Sequence, residues 1–336
     1  MINTYLKNLI KEKGAISMYE FMNIALYHNK YGYYMKKVPF GNDFITAPEI
    51  SQLFSEMISI WLMVSWKKIK GDFILVELGP GRGTLVNDIL RVTQKFTEFY
   101  NSMSVHLVEI SPTLGHIQKQ NLKNFQVHWH DSIHTLPEKP TLLIANEFFD
   151  SLPIKQFVYS QGKWYENKIT VENEVFKVTK QKVKEQKEEL PDSAVVEVCP
   201  TGMEIIKEIE RKIKKNKGSA LIIDYGYLNP PYRSTIQSIK EHKYNDFLKN
   251  IGDADITAHV NFKALQGYLQ NTEATIMTQR EFLYSLGIME RTNMLMQNVT
   301  NEKRDQILKG FLRITENMGT LFKVMIIYPI NENKVF

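Results

Sequence analysis

Three stretches of this chain carry residues whose types and spacing could do chemistry. In the first, Val76-Glu77-Leu78-Gly79-Pro80-Gly81-Arg82-Gly83-Thr84-Leu85, an apolar run ends on an acid and enters a turn with three alternate glycines. Bare glycine backbone lets a loop lie against a ligand and reach φ values that other residues avoid. A plain strand-to-helix turn would use the same residues, so the neighbours must decide. The second is a set of acids that each close an apolar run: Glu77, Glu109, Asp131 and Asp224. The third, Asn146-Glu147-Phe148-Phe149-Asp150, places two carboxylates and an amide after another such run. One acid at a strand end is commonly a cap facing water. Several in equivalent positions point to a ligand beyond the carboxyl ends of a parallel sheet.

The spacing selects among ligands. A dinucleotide fingerprint needs its third glycine at position 84, where this chain has Thr84, so a nicotinamide dehydrogenase is disfavoured. S-adenosyl-L-methionine fits better, because it carries no phosphate but has a sulfonium, an ammonium and a carboxylate. Glu77 would neutralise the ammonium, Gly79, Gly81 and Gly83 would let the loop approach, Glu109 would hold the ribose, and Asp131 would accept from the adenine amino group. Methyl transfer then needs an aligned nucleophile and exclusion of water. Carboxylates matter most if the nucleophile is a guanidinium, because they bind its other nitrogens and orient one toward the methyl. Glu147 and Asp150 lead for that role and Asp224 follows. Asn146 would fix the donor or the backbone, and Phe148 and Phe149 would wall the pocket or belong to the core.

Positioning these groups requires an α/β fold. Apolar strands are expected at 74–77, 105–109, 126–130, 142–145 and 220–223, alternating with helices, as in a parallel sheet wrapped on both faces. Residues 273–278 and 321–328 would bring the strands to seven. Residues 154 to about 190 break the rhythm with three antiparallel strands, joined at Gln161-Gly162 and around Asn173, and end in a mixed-charge face or loop over 180–189. The run 195–198 is expected to resume the alternation. Residues 1–70 read as helical around the aromatic loop Tyr31-Gly32-Tyr33-Tyr34-Met35, with Pro39 and Gly41 beyond it. Thr46 and Glu49 form a capping-box pattern with Pro48 in the first turn. One helix is expected from there, with Ile50, Leu53, Phe54, Met57, Trp61 and Val64 on its buried stripe. Thr201 and Glu204 repeat the capping pattern. The domain reading is a helical region over 1–70, then a catalytic domain over 71–336 with a β insertion at about 154–190.

Composition excludes other classes. The 336 residues are 43% hydrophobic and 24% charged, with a net charge of +5, and no apolar run is long enough to cross a bilayer. The charge is scattered lysine, without the basic and aromatic clusters that track nucleic acid, so neither nucleic-acid binding nor membrane insertion is expected. The lone Cys199 fits a reducing compartment. No presequence is legible at the N-terminus, so a cytoplasmic setting is expected. His128 and His130 share a strand face beside Asp131, too few ligands for a metal site.

Five segments together resemble one family. Gly32-Tyr33-Tyr34, Asp43-Phe44-Ile45-Thr46-Ala47-Pro48-Glu49-Ile50-Ser51, the glycine turn, Asn146-Glu147-Phe148-Phe149-Asp150-Ser151-Leu152-Pro153 and Asp255-Ile256-Thr257-Ala258-His259-Val260-Asn261-Phe262 look like signatures of the MidA-like methyltransferases. The resemblance implies a seven-stranded, Rossmann-like S-adenosyl-L-methionine-dependent methyltransferase fold with an N-terminal helical lid and an inserted antiparallel β unit. In the lid reading Thr46, Pro48 and Glu49 cover the cofactor; in the other they only cap a helix. Mitochondrial members of the family are complex I assembly factors that symmetrically dimethylate an arginine of a core subunit. That implies a protein partner, and a matrix setting for a eukaryotic chain. His259 and Asn261 would face the substrate. Asn261 stands where most relatives are expected to carry aspartate, and an amide cannot neutralise a cation. The alternative is an assembly factor that keeps the fold and cofactor but acts by holding its client. The sequence does not determine the oligomeric state.

Overall fold

The computed structural model describes residues 1–36, 45–184 and 189–330. Pro39, Gly41, Asp43, Phe44 and part of the charged stretch 180–189 lie outside the described residues. The chain forms two compact units, one of residues 1–44, 150–204 and 227–261, the other of 45–149, 205–226 and 262–336.

The second unit is built on a mixed sheet. Its strands are β1 (Phe73–Leu78), β2 (Met103–Val108), β3 (Val127–His130), β4 (Thr141–Asn146), β5 (Gly218–Tyr227), β6 (Thr272–Thr278) and β7 (Phe322–Pro329). They run in the order β3-β2-β1-β4-β5-β7-β6. The first five are parallel, and β7 is antiparallel to both β5 and β6. All six positions of β1 are buried, as a strand covered on both faces requires. The chain leaves β1 toward β2 and β3, then returns to its other side for β4 and β5. The order therefore reverses between β1 and β4, where open α/β sheets place their ligands.

Helices α1 (Gln52–Ile69), α2 (Thr84–Thr93) and α3 (Pro112–Asn121) belong to this unit. Leu53, Phe54, Met57, Ile58, Trp61 and Leu62 of α1 are buried in one cluster with Leu75, Leu85, Ile89 and Ile144. Burying side chains of this size contributes about 1.5–3 kcal/mol each. The single helix expected from Thr46 is two: Ala47–Ile50, then α1. Ser51 is extended between them and its hydroxyl accepts from the Leu53 N–H, so a second cap interrupts the stripe. The capping box at Thr46 is half formed. Glu49 accepts from the Thr46 backbone, but the Thr46 hydroxyl makes no cap bond.

In the first unit, Lys155–Ser160, Lys163–Glu172 and Val175–Lys182 pair antiparallel. Their turns have positive φ at Gln161, Gly162, Asn173 and Glu174, the backbone that matches strand twist in two-residue hairpins. Ala194–Val198 joins this sheet antiparallel to Lys155–Ser160, which corrects the expected return to parallel alternation. A short apolar run does not encode the direction of its partner. Helices Ile2–Lys13 and Met18–Tyr27 bury Leu6, Phe21 and Met22 with Ile154, Ile169 and Ile256. The aromatic loop holds one short helix, Tyr33–Lys36.

Helix α4 (Pro200–Asn216) begins one residue before the expected cap. The Cys199 thiol accepts from the Gly202 N–H at 3.3 Å, in the place a capping hydroxyl would take, and burial pushes it up to about 11. Thr201 instead shares a hydrogen bond with the Tyr19 hydroxyl at 2.9 Å. No helix among the described residues is long and apolar enough to cross a membrane.

Candidate active site

The glycine turn follows directly from β1. Gly79, Gly81 and Gly83 all have positive φ, and the Gly83 N–H closes the turn on the Pro80 carbonyl at 2.7 Å. At Gly79 a Cβ would lie 2.6 Å from the Phe148 ring, so this glycine is required by conformation and by space. Phe148, expected as a pocket wall, thus packs against the turn. Phe149 is buried, edge-on to it at 5.4 Å.

Glu77 is buried at 5% exposure, and one of its oxygens accepts from the Val86 N–H in the first turn of α2. It caps a helix whose own N-cap, Gly83, has no side chain to offer. The cap reading therefore holds for one oxygen. The other, Oε2, is buried without a hydrogen-bond partner. Burial pushes the carboxyl up to about 8, against the lowering effect of Val86. An acid in this state fits the ammonium of S-adenosyl-L-methionine, which would supply both the missing partner and the compensating charge.

Glu109 follows β2. Its Oε1 accepts from the Ser111 N–H at 2.8 Å and its Oε2 from the Gln118 amide at 3.0 Å, while burial raises its pKa. Asp131, after β3, is exposed. Behind it His106 Nδ1 lies 2.8 Å from His130 Nε2 and His128 stacks on His106; burial chiefly lowers His106 to about 4. Among the described residues no group of three or more His, Cys, Asp or Glu is placed to hold a metal ion.

Asn146 ends β4, and Glu147 follows with φ 48, an unusual backbone for a residue with a Cβ. Such strain persists where surrounding contacts over-determine it, often at sites of function. Glu147 Oε1 accepts from the Ala47 N–H at 3.0 Å and from the Asn146 amide at 3.3 Å. The carboxylate thereby holds the start of the short helix that carries Pro48 and Glu49. Glu49 lies 3.9 Å from Arg82 of the glycine turn, burial raises its pKa, and its Oε2 has no partner. The segment Thr46 to Glu49 is thus tied to both the turn and Glu147, a link invisible in the sequence.

Asp224, expected near the reacting group, is fully buried. Its Oδ2 accepts from the Phe148 and Phe149 N–H groups at 3.1 and 3.0 Å, and its Oδ1 from its neighbour Tyr225. This geometry positions the loop that carries Glu147. Asp224→Ala is expected to cost about 3 kcal/mol, since bonds to charged acceptors are worth about 1.5–3 kcal/mol each and the amides would be left buried. Urea unfolding measures this, and a loss below about 1 kcal/mol would contradict the anchoring role.

Asp150, His259 and Asn261 belong to the first unit. Asp150 is buried and its carbonyl accepts from the Ala258 N–H at 2.9 Å. Nearby the Tyr34 hydroxyl donates to Asp255 at 2.9 Å, and Tyr27 donates to Ser151. The His259 N–H donates to the Thr235 hydroxyl at 3.0 Å, and Thr235 in turn donates to buried Glu197. The Asn261 side chain is hydrogen-bonded to Tyr227.

A glycine turn between a parallel strand and its helix, with a buried acid at its entrance that leaves one oxygen unpartnered and further acids at the neighbouring strand ends, defines a Rossmann-like S-adenosyl-L-methionine-dependent methyltransferase. The comparisons with known proteins agree. The sequence profile of an S-adenosyl-L-methionine-dependent methyltransferase family matches residues 57–278, and the chain belongs to that family. Among similar proteins, human mitochondrial protein arginine methyltransferase NDUFAF7 is 34% identical, covering 95% of this chain and 81% of that protein. The Drosophila melanogaster homologue is 32% identical over 96% of this chain and 84% of its own length. A crystal structure from Burkholderia thailandensis, bound to S-adenosyl-homocysteine, superposes with a TM-score of 0.85 at 21% identity. It covers 99% of this chain and 92% of that one, a likeness that shows the fold.

Proposed function

We propose that this methyltransferase acts on an arginine of a respiratory complex I core subunit, dimethylating it symmetrically during assembly of the complex. The observation that carries the reading is the pair of acids at adjacent strand ends, Glu77 with an unpartnered buried oxygen and Glu147 in a left-handed backbone. The relatives named protein arginine methyltransferase support the substrate class, and their mitochondrial label supports a respiratory client.

In this reading Glu77 and the glycine turn hold the amino-acid end of the cofactor, Glu109 its ribose and Asp131 its adenine edge. The sulfonium supplies an activated methyl, so the protein's part is alignment and exclusion of water. Glu147 binds the guanidinium and turns one nitrogen toward the methyl, with Asn146 fixing the carboxylate plane. Thr46, Pro48 and Glu49 close over the cofactor. The role read for Asp150 rests on its place in the sequence motif, and those of His259 and Asn261 on theirs. The setting is the compartment where the subunit is assembled, the bacterial cytoplasm or the mitochondrial matrix.

Mass spectrometry of complex I subunits from cells with and without this protein tests the proposal. One arginine is expected to lose its dimethylation in the deleted strain and to regain it with the wild-type gene. Unchanged arginine methylation with failed complex assembly would overturn it in favour of a client-holding factor.

A further inference from the structure

Gln118 lies in α3 and is fully buried, although the sequence attaches no chemistry to it. Its Nε2 donates to the Gly81 carbonyl at 2.8 Å and to Glu109 Oε2 at 3.0 Å, and its Oε1 accepts from Trp129 Nε1 at 3.1 Å. A buried amide is costly unless its groups are paired, and here both N–H groups and one lone pair are used. The orientation is determined as well. Turned over, the amide would face a carbonyl and a carboxylate with its own oxygen, and the indole N–H with its NH2. Asn121, one turn later, donates to the Arg82 carbonyl at 2.9 Å, so the same helix grips the glycine turn twice.

The three partners of Gln118 come from three elements: the turn after β1, the acid after β2, and a tryptophan on β3. We infer that Gln118 is the positioning residue of the cofactor site, setting the plane of the Glu109 carboxylate for the ribose diol. Glu109 Oε1 is held by the Ser111 N–H and Oε2 by Gln118, so the carboxylate cannot rotate and its remaining lone pairs keep fixed directions. A carboxylate held this way discriminates between a ligand with a 2′-hydroxyl and one without it. The inference rests on the assignment of Glu109 to the ribose proposed above.

Calorimetry with S-adenosyl-homocysteine and its 2′-deoxy counterpart tests it on the full-length wild type, Gln118→Met, Gln118→Glu and Glu109→Ala. Wild type is expected to prefer the hydroxylated ligand by about 10- to 100-fold, the worth of hydrogen bonds to a charged acceptor. Gln118→Met fills the same space without the amide. It is expected to reduce that preference to about 3-fold while keeping the wild-type preference for S-adenosyl-homocysteine over methylthioadenosine, which reads the ammonium at Glu77. Gln118→Glu sets a second acid against Glu109 and is expected to weaken the hydroxylated ligand more as pH rises. If Gln118→Met weakens both ligands equally, the residue is only structural and the inference falls. If Glu109→Ala keeps the full preference, the ribose assignment itself fails, and the inference falls for that separate reason. Melting temperatures identify a variant that does not fold; for such a variant the conservative Gln118→Asn is measured in its place, and retained 2′-hydroxyl preference there overturns the inference.

Discussion

Glu147→Gln is expected to lower methyl transfer to the client arginine by about 100- to 1,000-fold while leaving S-adenosyl-homocysteine affinity within about 3-fold. The amide keeps an acceptor for the Ala47 N–H and the shape of the left-handed turn, so the short helix stays docked. What it loses is the charge that orients a guanidinium. Glu147→Ala removes the acceptor too, and should also weaken the cofactor through the Thr46 to Glu49 segment. The two variants therefore separate substrate orientation from cofactor closure. A Glu147→Gln protein that methylates within 10-fold of wild type would remove Glu147 from the chemistry.

The second large effect is on cofactor binding. Glu77→Gln is expected to weaken S-adenosyl-homocysteine by about 100-fold, because the buried partner of its ammonium loses its charge. The pH dependence gives a sharper reading. Without ligand, burial holds Glu77 up at about 8, so the folded protein carries a proton there that the unfolded chain has already lost. Stability from this group is full below the ordinary carboxylate range and is lost as pH rises toward 8. An ammonium beside the carboxylate favours its ionised form. Ligand affinity should thus rise with pH up to about 8, and binding at neutral pH should release about one proton. Calorimetry in buffers of different ionisation enthalpy measures that release. Glu77→Gln should abolish it and flatten the fall in stability between pH 5 and 8. Equal proton release in the variant would assign the titration to another group.

Much of this was legible in the sequence because it is local. Strand β1, the glycine turn and α2 are contiguous, and the alternation of apolar runs with amphipathic ones specifies a parallel sheet before any contact is known. Expectation and structure part where a partner is remote and where a local cap competes with a continuing helix. Residues 195–198 read as one more parallel strand, because direction is a property of the neighbour, Lys155–Ser160. The helix expected from Thr46 runs into Ser51, whose side chain caps a new helix instead of continuing the old one. Periodicity alone does not weigh that competition.

The sequence by itself pointed to the class of ligand: three alternate glycines, an acid before them and a threonine after them disfavour a dinucleotide and fit a cationic cofactor without phosphates. Only the tertiary structure decided what each polar group is for. It divided Glu77 between a helix cap and an unpartnered oxygen, turned Asp224 inward to three backbone amides, set Glu147 against Ala47, and placed Gln118 among the turn, Glu109 and Trp129. The physical reason is that residue type and spacing encode which groups are available, whereas desolvation and hydrogen-bond geometry, set by chain segments far apart in sequence (100 residues for Ala47 and Glu147), encode which of them stay paired.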